Sequence, residues 1–155
     1  MKSKFILLVS LLICTCFSGC SWVEYFTIAN LSEQTIYVSY TLTEPKGSFP
    51  IFNKSPDFYE ATKKGNINWD KRLTKEISID GGNSISMELS PHSIMIFGRL
   101  HNDSYKSHDQ EFINGRYFNL NFIEIEVNLE VFHISKDTFD KNFKKENGYI
   151  KYAVE

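Results

Sequence analysis

The chain has no cysteine after residue 20. Its three cysteines, Cys14, Cys16 and Cys20, all lie within seven positions near the N-terminus. Their C-x-C-x3-C spacing is not that of a zinc site, for which C-x2-4-C pairs and further Cys or His ligands are usual. A disulfide framework downstream is excluded as well, because no other cysteine offers a partner.

The sequence also lacks an apolar run long enough to span a bilayer. Lys2 and Lys4 come first, residues 5–13 are apolar except for one serine, and the small residues Ser18 and Gly19 follow. A membrane-spanning helix needs about 20 predominantly apolar residues. A charged start, a short apolar middle and a small-residue end are the layout of a secretory signal peptide. We therefore expect a leader that is removed rather than a retained transmembrane helix.

The leader ends in Phe-Ser-Gly-Cys at residues 17–20. This tetrapeptide resembles the lipobox of bacterial lipoproteins, in which a branched aliphatic residue, two small residues and a cysteine direct lipidation and cleavage. The resemblance implies that a diacylglyceryl group joins the Cys20 sulfur, that the chain is cut after Gly19, and that the new amine is acylated. Phe17 departs from the usual Leu but keeps its bulk and apolar character.

The same resemblance implies a place in the bacterial cell envelope. Three acyl chains make a firm anchor, since each buried methylene contributes about 0.8 kcal/mol and a single chain binds only marginally. In Gram-negative lipoproteins an Asp after the cysteine favours the inner membrane. Here Ser21 follows, so we expect the outer membrane. Residues 1–19 are then a removed signal peptide, and residues 20–155 are a single domain anchored to the membrane through Cys20.

Clustered positive charge is another feature that the chain has little of. The formal net charge is −2, and the loss of Lys2 and Lys4 with the leader makes it more negative. Nucleic-acid binders present a clustered basic face, whereas here only a modest group at residues 141–145 concentrates lysine. We therefore expect no nucleic-acid partner. Aromatic residues make up 15% of the chain, which disfavours disorder and supplies a core for one domain.

Alternation of apolar and polar residues predicts short strands along most of the body. The predicted strands cover residues 24–31, 34–42, 74–80, 84–89, 93–100, 117–134 and 149–154. The polar link between the first two makes them a hairpin candidate, and Asp-Gly-Gly-Asn at 80–83 predicts a hairpin turn. Ser135 and its polar neighbours predict a short helix through Phe139 and Phe143.

This pattern predicts an all-β domain. Short strands between turn signals, with little helix, favour an antiparallel β-sandwich of the immunoglobulin-like or Greek-key type, with one short helix near the C-terminus. A barrel is the alternative closure, because an inner face has the same pattern in both. Residues 26–30 with 36–38, and residues 129–139, resemble uncharacterised small β-sandwich lipoproteins of Gram-negative bacteria. That resemblance implies class and location only.

Residues 43–72 show no clean period and contain three of the four prolines. A long irregular segment in a compact domain is functional, disordered or misread. Its apolar area is too large to leave in water, so we expect it to pack against the sheets, with a short helical turn near 57–64. Within it, Phe52, Tyr59 and Trp69 are candidate ligand-binding residues, because aromatic rings stack on sugars or receive a partner's side chains. Core packing is the competing use.

Motifs for catalysis and metal binding are absent from the sequence. There is no G-x-S-x-G elbow, no Gly-rich loop that opens a helix and no H-E-x-x-H pair, and the four histidines are interpreted as surface residues. Glu124, Glu126 and Glu130 share the outward parity of one predicted strand. Neighbours on that face lie about 6.6 Å apart, near the lower limit for inverting glycosidases. The alternation nevertheless directs them to water, as on a solvated sheet face.

We therefore expect a non-catalytic binding or assembly module that is held at the envelope. Its expected partners are the membrane, through the lipid anchor, and an envelope protein or glycan, with no metal and no cofactor. The alternative is a small envelope hydrolase that uses the sheet carboxylates. An inhibitor of a host or competitor enzyme also fits the size of the domain.

Overall fold

Strands make up nearly all the regular structure in residues 21–44 and 49–155, which the computed structural model describes. The strands are β1 (Val23–Asn30), β2 (Ile36–Leu42), β3 (Phe49–Pro50), β4 (Phe52–Ala61), β5 (Ile67–Leu73), β6 (Ser78–Asp80), β7 (Ser84–Leu89), β8 (Ser93–His101), β9 (Arg116–Tyr117), β10 (Leu120–Val127), β11 (Glu130–Ser135), β12 (Lys144–Glu146) and β13 (Tyr149–Val154). A 3-10 turn at Lys136–Thr138 leads into one short helix, α1 (Phe139–Asn142), as the sequence predicts. In these residues no helix has the length and apolar character needed to cross a membrane.

Two open sheets pack into a β-sandwich, which confirms the predicted fold class. Sheet A has the strand order β12-β13-β1-β8-β4-β5, and sheet B has the order β11-β10-β2-β7-β6. In the part of the chain that the structure describes, each sheet has two edge strands. The sheets therefore do not close into the barrel that was the alternative prediction. Pairing is antiparallel except between β1 and β13 and in the small β3–β9 pair. The β6–β7 hairpin has its turn at 80–83, as predicted, with Gly81 and Gly82 at positive φ.

The predicted β1–β2 hairpin is wrong, because these strands belong to different sheets. Their short link crosses from sheet A to sheet B. Asn30 fixes the crossing: its buried Nδ2 donates to the carbonyls of Gln34 at 2.7 Å and Leu89 at 2.9 Å, and its Oδ1 accepts from Ser32. A single buried amide thereby supplies the hydrogen bonds that a hairpin ladder would have made.

The core lies between the two inner faces and is rich in aromatic rings. Phe52 sits at its centre, with ring centroids 4.9 Å from Phe26, 5.0 Å from Phe97 and 4.9 Å from Phe118. Edge-on and stacked contacts of this kind add to the free energy of burial. Tyr40 joins the sheets, because its buried hydroxyl donates to the Asn53 carbonyl at 2.7 Å. Burial also raises the pKa of Tyr40 well above its usual range.

Most of the described residues between 49 and 72 lie in strands β3, β4 and β5 in place of the predicted irregular segment, and no helical turn lies at 57–64. The long strands β4 and β5 pair there as a hairpin at the edge of sheet A. Register shifts interrupt β4 between Phe52 and Asp57 on one side and between Tyr59 and Ala61 on the other. A bulge inserts an extra residue into one strand of a pair. The period-two alternation of apolar and polar residues is therefore lost in the sequence, even though the backbone is extended.

The β4–β5 hairpin bends over the outer face of sheet A. Its turn touches the end of β1, where a Cβ built on Gly65 would lie 3.0 Å from Leu31 Cδ1. Beneath it Ala29, Ile67, Ile94 and Ile96 form a second, smaller buried cluster. The middle of sheet A is therefore covered on both faces.

The predicted strand at 117–134 is broken by a turn. Asn128 and Leu129 both have positive φ, 53° and 70°, and reverse the chain between β10 and β11. The parity of side chains after the turn therefore changes. Leu129 and Val131, which the alternation placed inside, are 91% and 59% exposed.

Candidate functional site

A groove of about 770 Å³ crosses the outer face of sheet B. Its floor is formed by β2, β7 and β10, and one wall is the segment that leads from β5 into β6. Four carboxylates line it, together with a single lysine. The lining side chains used below are Tyr37, Ser39, Lys75, Glu76, Ser86, Glu88, Glu124, Glu126 and Val131.

Strand register explains how these residues meet. Directly paired residues of neighbouring strands point to the same side of a sheet. One row therefore runs Val131, Glu126, Tyr37 and Glu88 across β11, β10, β2 and β7. Tyr37, Glu88 and Glu126 each lie next to a buried residue of the same strand, which fixes the outward direction of the row.

The adjacent row centres on Glu124. Its Oε2 accepts from Ser39 Oγ at 3.4 Å, and its Oε1 lies 3.4 Å from His133 Nδ1. The His133 ring stacks on Phe122 at a centroid distance of 5.1 Å. In a nucleophilic triad the imidazole stands between serine and acid and takes the serine proton. Here the acid stands between serine and imidazole, so the arrangement does not activate Ser39.

A second surface, which we call the aromatic face, lies on the outer side of sheet A. It consists of Tyr25, Tyr59, Trp69 and Tyr149. The Trp69 ring lies 5.2 Å from Tyr25 and 5.2 Å from Tyr59, and Tyr25 stacks on Tyr149 at 5.9 Å. Trp69 is 47% exposed, and the three tyrosines are partly buried. The four rings form one continuous surface.

The predicted ligand-binding residues separate into two groups. Tyr59 and Trp69 lie together on the aromatic face. Phe52 is only 1% exposed and belongs to the core, so it takes no part in any surface contact. The predicted lipidation site at Cys20 and cleavage after Gly19 lie outside the described residues.

A polar network closes the end of the sandwich where β1 begins. The buried carboxylate of Glu24 pairs with Lys145 Nζ at 2.6 Å and accepts from the Tyr105 amide at 2.8 Å. The Tyr105 hydroxyl donates to Asp140, and His108 Nδ1 lies 2.8 Å from the same carboxylate. Burial alone disfavours the charged form of Asp140, but these hydrogen bonds outweigh it and lower its pKa. The loop after β8 is thereby tied to α1.

The histidines do not gather into a metal site in the part of the chain that the structure describes. No group of three or more His, Cys, Asp or Glu side chains there is placed to hold an ion. His108 is instead held by Asp140, and His92 lies 3.1 Å from Glu33. Burial and the neighbouring Arg116 and Arg99 lower the pKa of His101.

The comparisons with known proteins give no relative. No family model, no curated protein and no solved structure matches this chain. The function is therefore inferred from the geometry of the groove and of the aromatic face.

Sequence reasoning missed several members of both surfaces. Tyr25 and Tyr37 occupy the outward parity of their strands, between buried residues that point inward. A large aromatic residue at such a position was the available sign of a functional surface. Glu76 and Glu88 lie far from Glu124 in the sequence. The pairing of β2 with β7 and β10 brings Glu88 to the groove, and the segment between β5 and β6 brings Glu76 there.

Proposed function

We propose that this protein is a lipid-anchored module of the bacterial envelope that binds another envelope component without catalysis. The leader and the Phe-Ser-Gly-Cys sequence at 17–20 support the anchor. The observation that carries the binding role is the groove on sheet B, because a broad and open concavity on a rigid sheet is a recognition surface rather than a reaction chamber.

The chemistry of the groove selects the partner. Glu76, Glu88, Glu124 and Glu126 face one lysine, Lys75. Complementary charge steers association and excludes partners with like charge. Val131 is 59% exposed and Tyr37 is 53% exposed, and they add apolar contact area beside the carboxylates. The partner that fits is a protein segment carrying Lys or Arg between apolar residues.

The anchor is tested by replacing Cys20. In a bacterial host the full wild-type chain fractionates with membranes, and its N-terminal peptide begins at Cys20 and carries lipid mass. Cys20→Ser gives an unprocessed or soluble species without that mass. Cys16→Ser is the matched control and leaves processing unchanged. An unmodified Cys20 in membrane-bound wild-type protein refutes the anchor.

The groove is tested by charge reversal. The full chain in mild detergent is cross-linked to envelope extract, and captured proteins are identified and their stoichiometry is measured. Glu126→Lys abolishes capture of the stoichiometric partner, whereas Glu111→Lys does not, because Glu111 is exposed and lies outside the groove. Capture that is equal for both variants contradicts the proposed binding surface.

A small envelope hydrolase is the second candidate, favoured by four carboxylates in one groove. Glu124 and Glu126 are two residues apart on one strand, a backbone separation of about 6.6 Å, which suits an inverting glycosidase. General acid catalysis also needs an apolar setting around one carboxyl group, and both lie in an open groove. If the protein is a hydrolase, the wild-type chain releases reducing ends from peptidoglycan glycan strands. The Glu124→Gln and Glu126→Gln variants each lose this activity. No release by the wild-type chain eliminates this candidate.

A further inference from the structure

The aromatic face is unusual for a surface that looks outward from a sheet. Its rings touch one another, and Trp69 leaves 47% of its area exposed. Tryptophan and tyrosine are enriched where proteins meet the headgroup region of a bilayer, because each has an apolar ring and a polar tip. This composition matches a lipid interface.

Cations surround these rings. The register places Arg99 beside Tyr25, and Arg72 beside Tyr59, on the same side of sheet A. Both arginines pair with Asp57. Their charge is therefore partly neutralised at this position.

Two further cations extend this surface to the edge of the sheet. Lys151 pairs with Thr27 in the register, and Lys144 pairs with Lys151. Glu146, opposite Tyr149, adds a second carboxylate to this side beside Asp57. The row formed by Lys144 and Lys151 is a place where anionic headgroups are attracted.

The length of chain between the anchor and the fold is short. Cys20 precedes the first residue of β1, Val23, by three positions, which span at most about 11 Å. Tyr25 lies two residues further along the strand, and its paired neighbours Tyr149 and Arg99 lie at the same end of sheet A. An anchor at Cys20 therefore holds this end of the outer face beside the bilayer.

The opposite face of the sandwich carries the reverse charge. Glu76, Glu88, Glu124 and Glu126 line its groove. An anionic membrane repels that side and attracts the row of lysines. The short tether holds the start of β1 near the bilayer, and the charge difference selects which face of the sandwich turns toward it.

We propose that the aromatic face rests on a phospholipid interface containing anionic headgroups, so that the groove of sheet B points away from the membrane. This orientation rests on the proposed anchor at Cys20. It gives the domain a defined pose, in which the lipid side is fixed and the acidic groove is presented to a partner.

Tryptophan quenching tests this orientation. The chain has two tryptophans, so Trp22→Phe leaves Trp69 as the sole reporter. The full lipidated variant is incorporated into vesicles of phosphatidylcholine and phosphatidylglycerol whose acyl chains carry bromine. Trp69 emission is expected to shift to shorter wavelength and to be quenched by the brominated chains. The comparison is a tryptophan at position 37, in the Trp22→Phe/Trp69→Phe/Tyr37→Trp variant. Quenching at Trp69 is expected to be several-fold stronger than at position 37. Position 37 is the matched control, because Tyr37 is 53% exposed, close to the 47% of Trp69, and lies on the opposite sheet.

The outcomes separate this proposal from the anchor itself. Equal quenching at positions 69 and 37 overturns the orientation but leaves the anchor intact. The same conclusion follows if Trp69 becomes protected from aqueous acrylamide only after envelope extract is added. Failure of vesicles to retain the full chain refutes the anchor and the orientation together. Lys144→Glu/Lys151→Glu is expected to reduce Trp69 quenching, and unchanged quenching in that variant removes the electrostatic part of the proposal.

Discussion

Replacing Gly98 with alanine adds one methyl group at a tightly packed position of the core and so tests that packing. Gly98 lies on β8, and a Cβ built there would be 2.8 Å from Phe52 Cδ1, 3.0 Å from Phe52 Cε1 and 3.2 Å from the Ile51 carbonyl oxygen. Carbon atoms in contact prefer about 3.5–4.0 Å. The Phe52 ring cannot withdraw, because neighbouring rings enclose it. Gly98→Ala therefore forces the ring or the backbone to move.

The magnitude follows from two opposing terms. Overpacking a core costs about 1–3 kcal/mol, while removing a glycine from the unfolded chain recovers about 0.4–1 kcal/mol. We expect the free energy of unfolding to fall by about 1–2 kcal/mol, a net result of those terms. This corresponds to a decrease of about 4–8 °C in Tm for a domain of this size.

Urea denaturation provides the assay, with a lower midpoint at unchanged m as the expected result. A double-mutant cycle separates the clash from other effects. Phe52→Leu destabilises by itself, but Gly98→Ala should be neutral or stabilising in that background, because the ring is gone. Gly82→Ala is the control for left-handed strain without a clash, since its φ is 81° and no atom lies within 4 Å. An equal loss from Gly98→Ala in both backgrounds refutes the packing argument.

Three other substitutions give sharp expectations. Thr27→Val should raise the free energy of unfolding by about 1 kcal/mol, because the buried Thr27 hydroxyl has no hydrogen-bond partner among the described residues. Thr27→Ser keeps the hydroxyl and should lower the free energy of unfolding. A higher Tm for Thr27→Ser than for Thr27→Val contradicts an unpaired hydroxyl at this position. Tyr40→Phe should lower the free energy of unfolding by about 1 kcal/mol, because it removes the hydrogen bond between the two sheets. Tyr37→Phe should leave the free energy of unfolding unchanged in urea titrations, because the Tyr37 ring is exposed. Asp140→Asn should destabilise by about 1 kcal/mol at neutral pH, allowing for partial exposure. Since folding lowers the Asp140 pKa, this difference is complete above the ordinary value of 3.8 and disappears as pH falls through the folded value. A difference that does not narrow as the pH falls below 3.8 is inconsistent with that origin.

Local pattern was enough to predict the elements whose partners lie nearby or whose two faces differ clearly. The alternation in β7, β8 and β13 and the glycine turn at 80–83 give those strands almost at their observed bounds. The outward direction of Glu124 and Glu126 also follows from alternation, because it depends only on which neighbours are apolar.

Pairing between distant strands was not predictable in this way. The link after β1 has the polarity of a hairpin turn, but Asn30 converts it into a crossing between sheets. Bulges in β4 removed the period by which a strand is recognised and placed Phe52 in the core. The turn at Asn128 and Leu129 reversed the parity of the residues after it.

The sequence by itself determined an all-β domain with one short C-terminal helix, but not whether its strands close as a sandwich or a barrel. It also predicts the short leader and the cysteine on which the anchor is proposed. Period, turn chemistry and leader layout are local properties, so they are visible in a single chain. Only the tertiary structure decided that Tyr25, Tyr149 and Trp69 share one face and that Glu88 and Glu126 share a groove on the other. Those groupings depend on strand order and register, which are set by how the two inner faces bury their apolar side chains against each other.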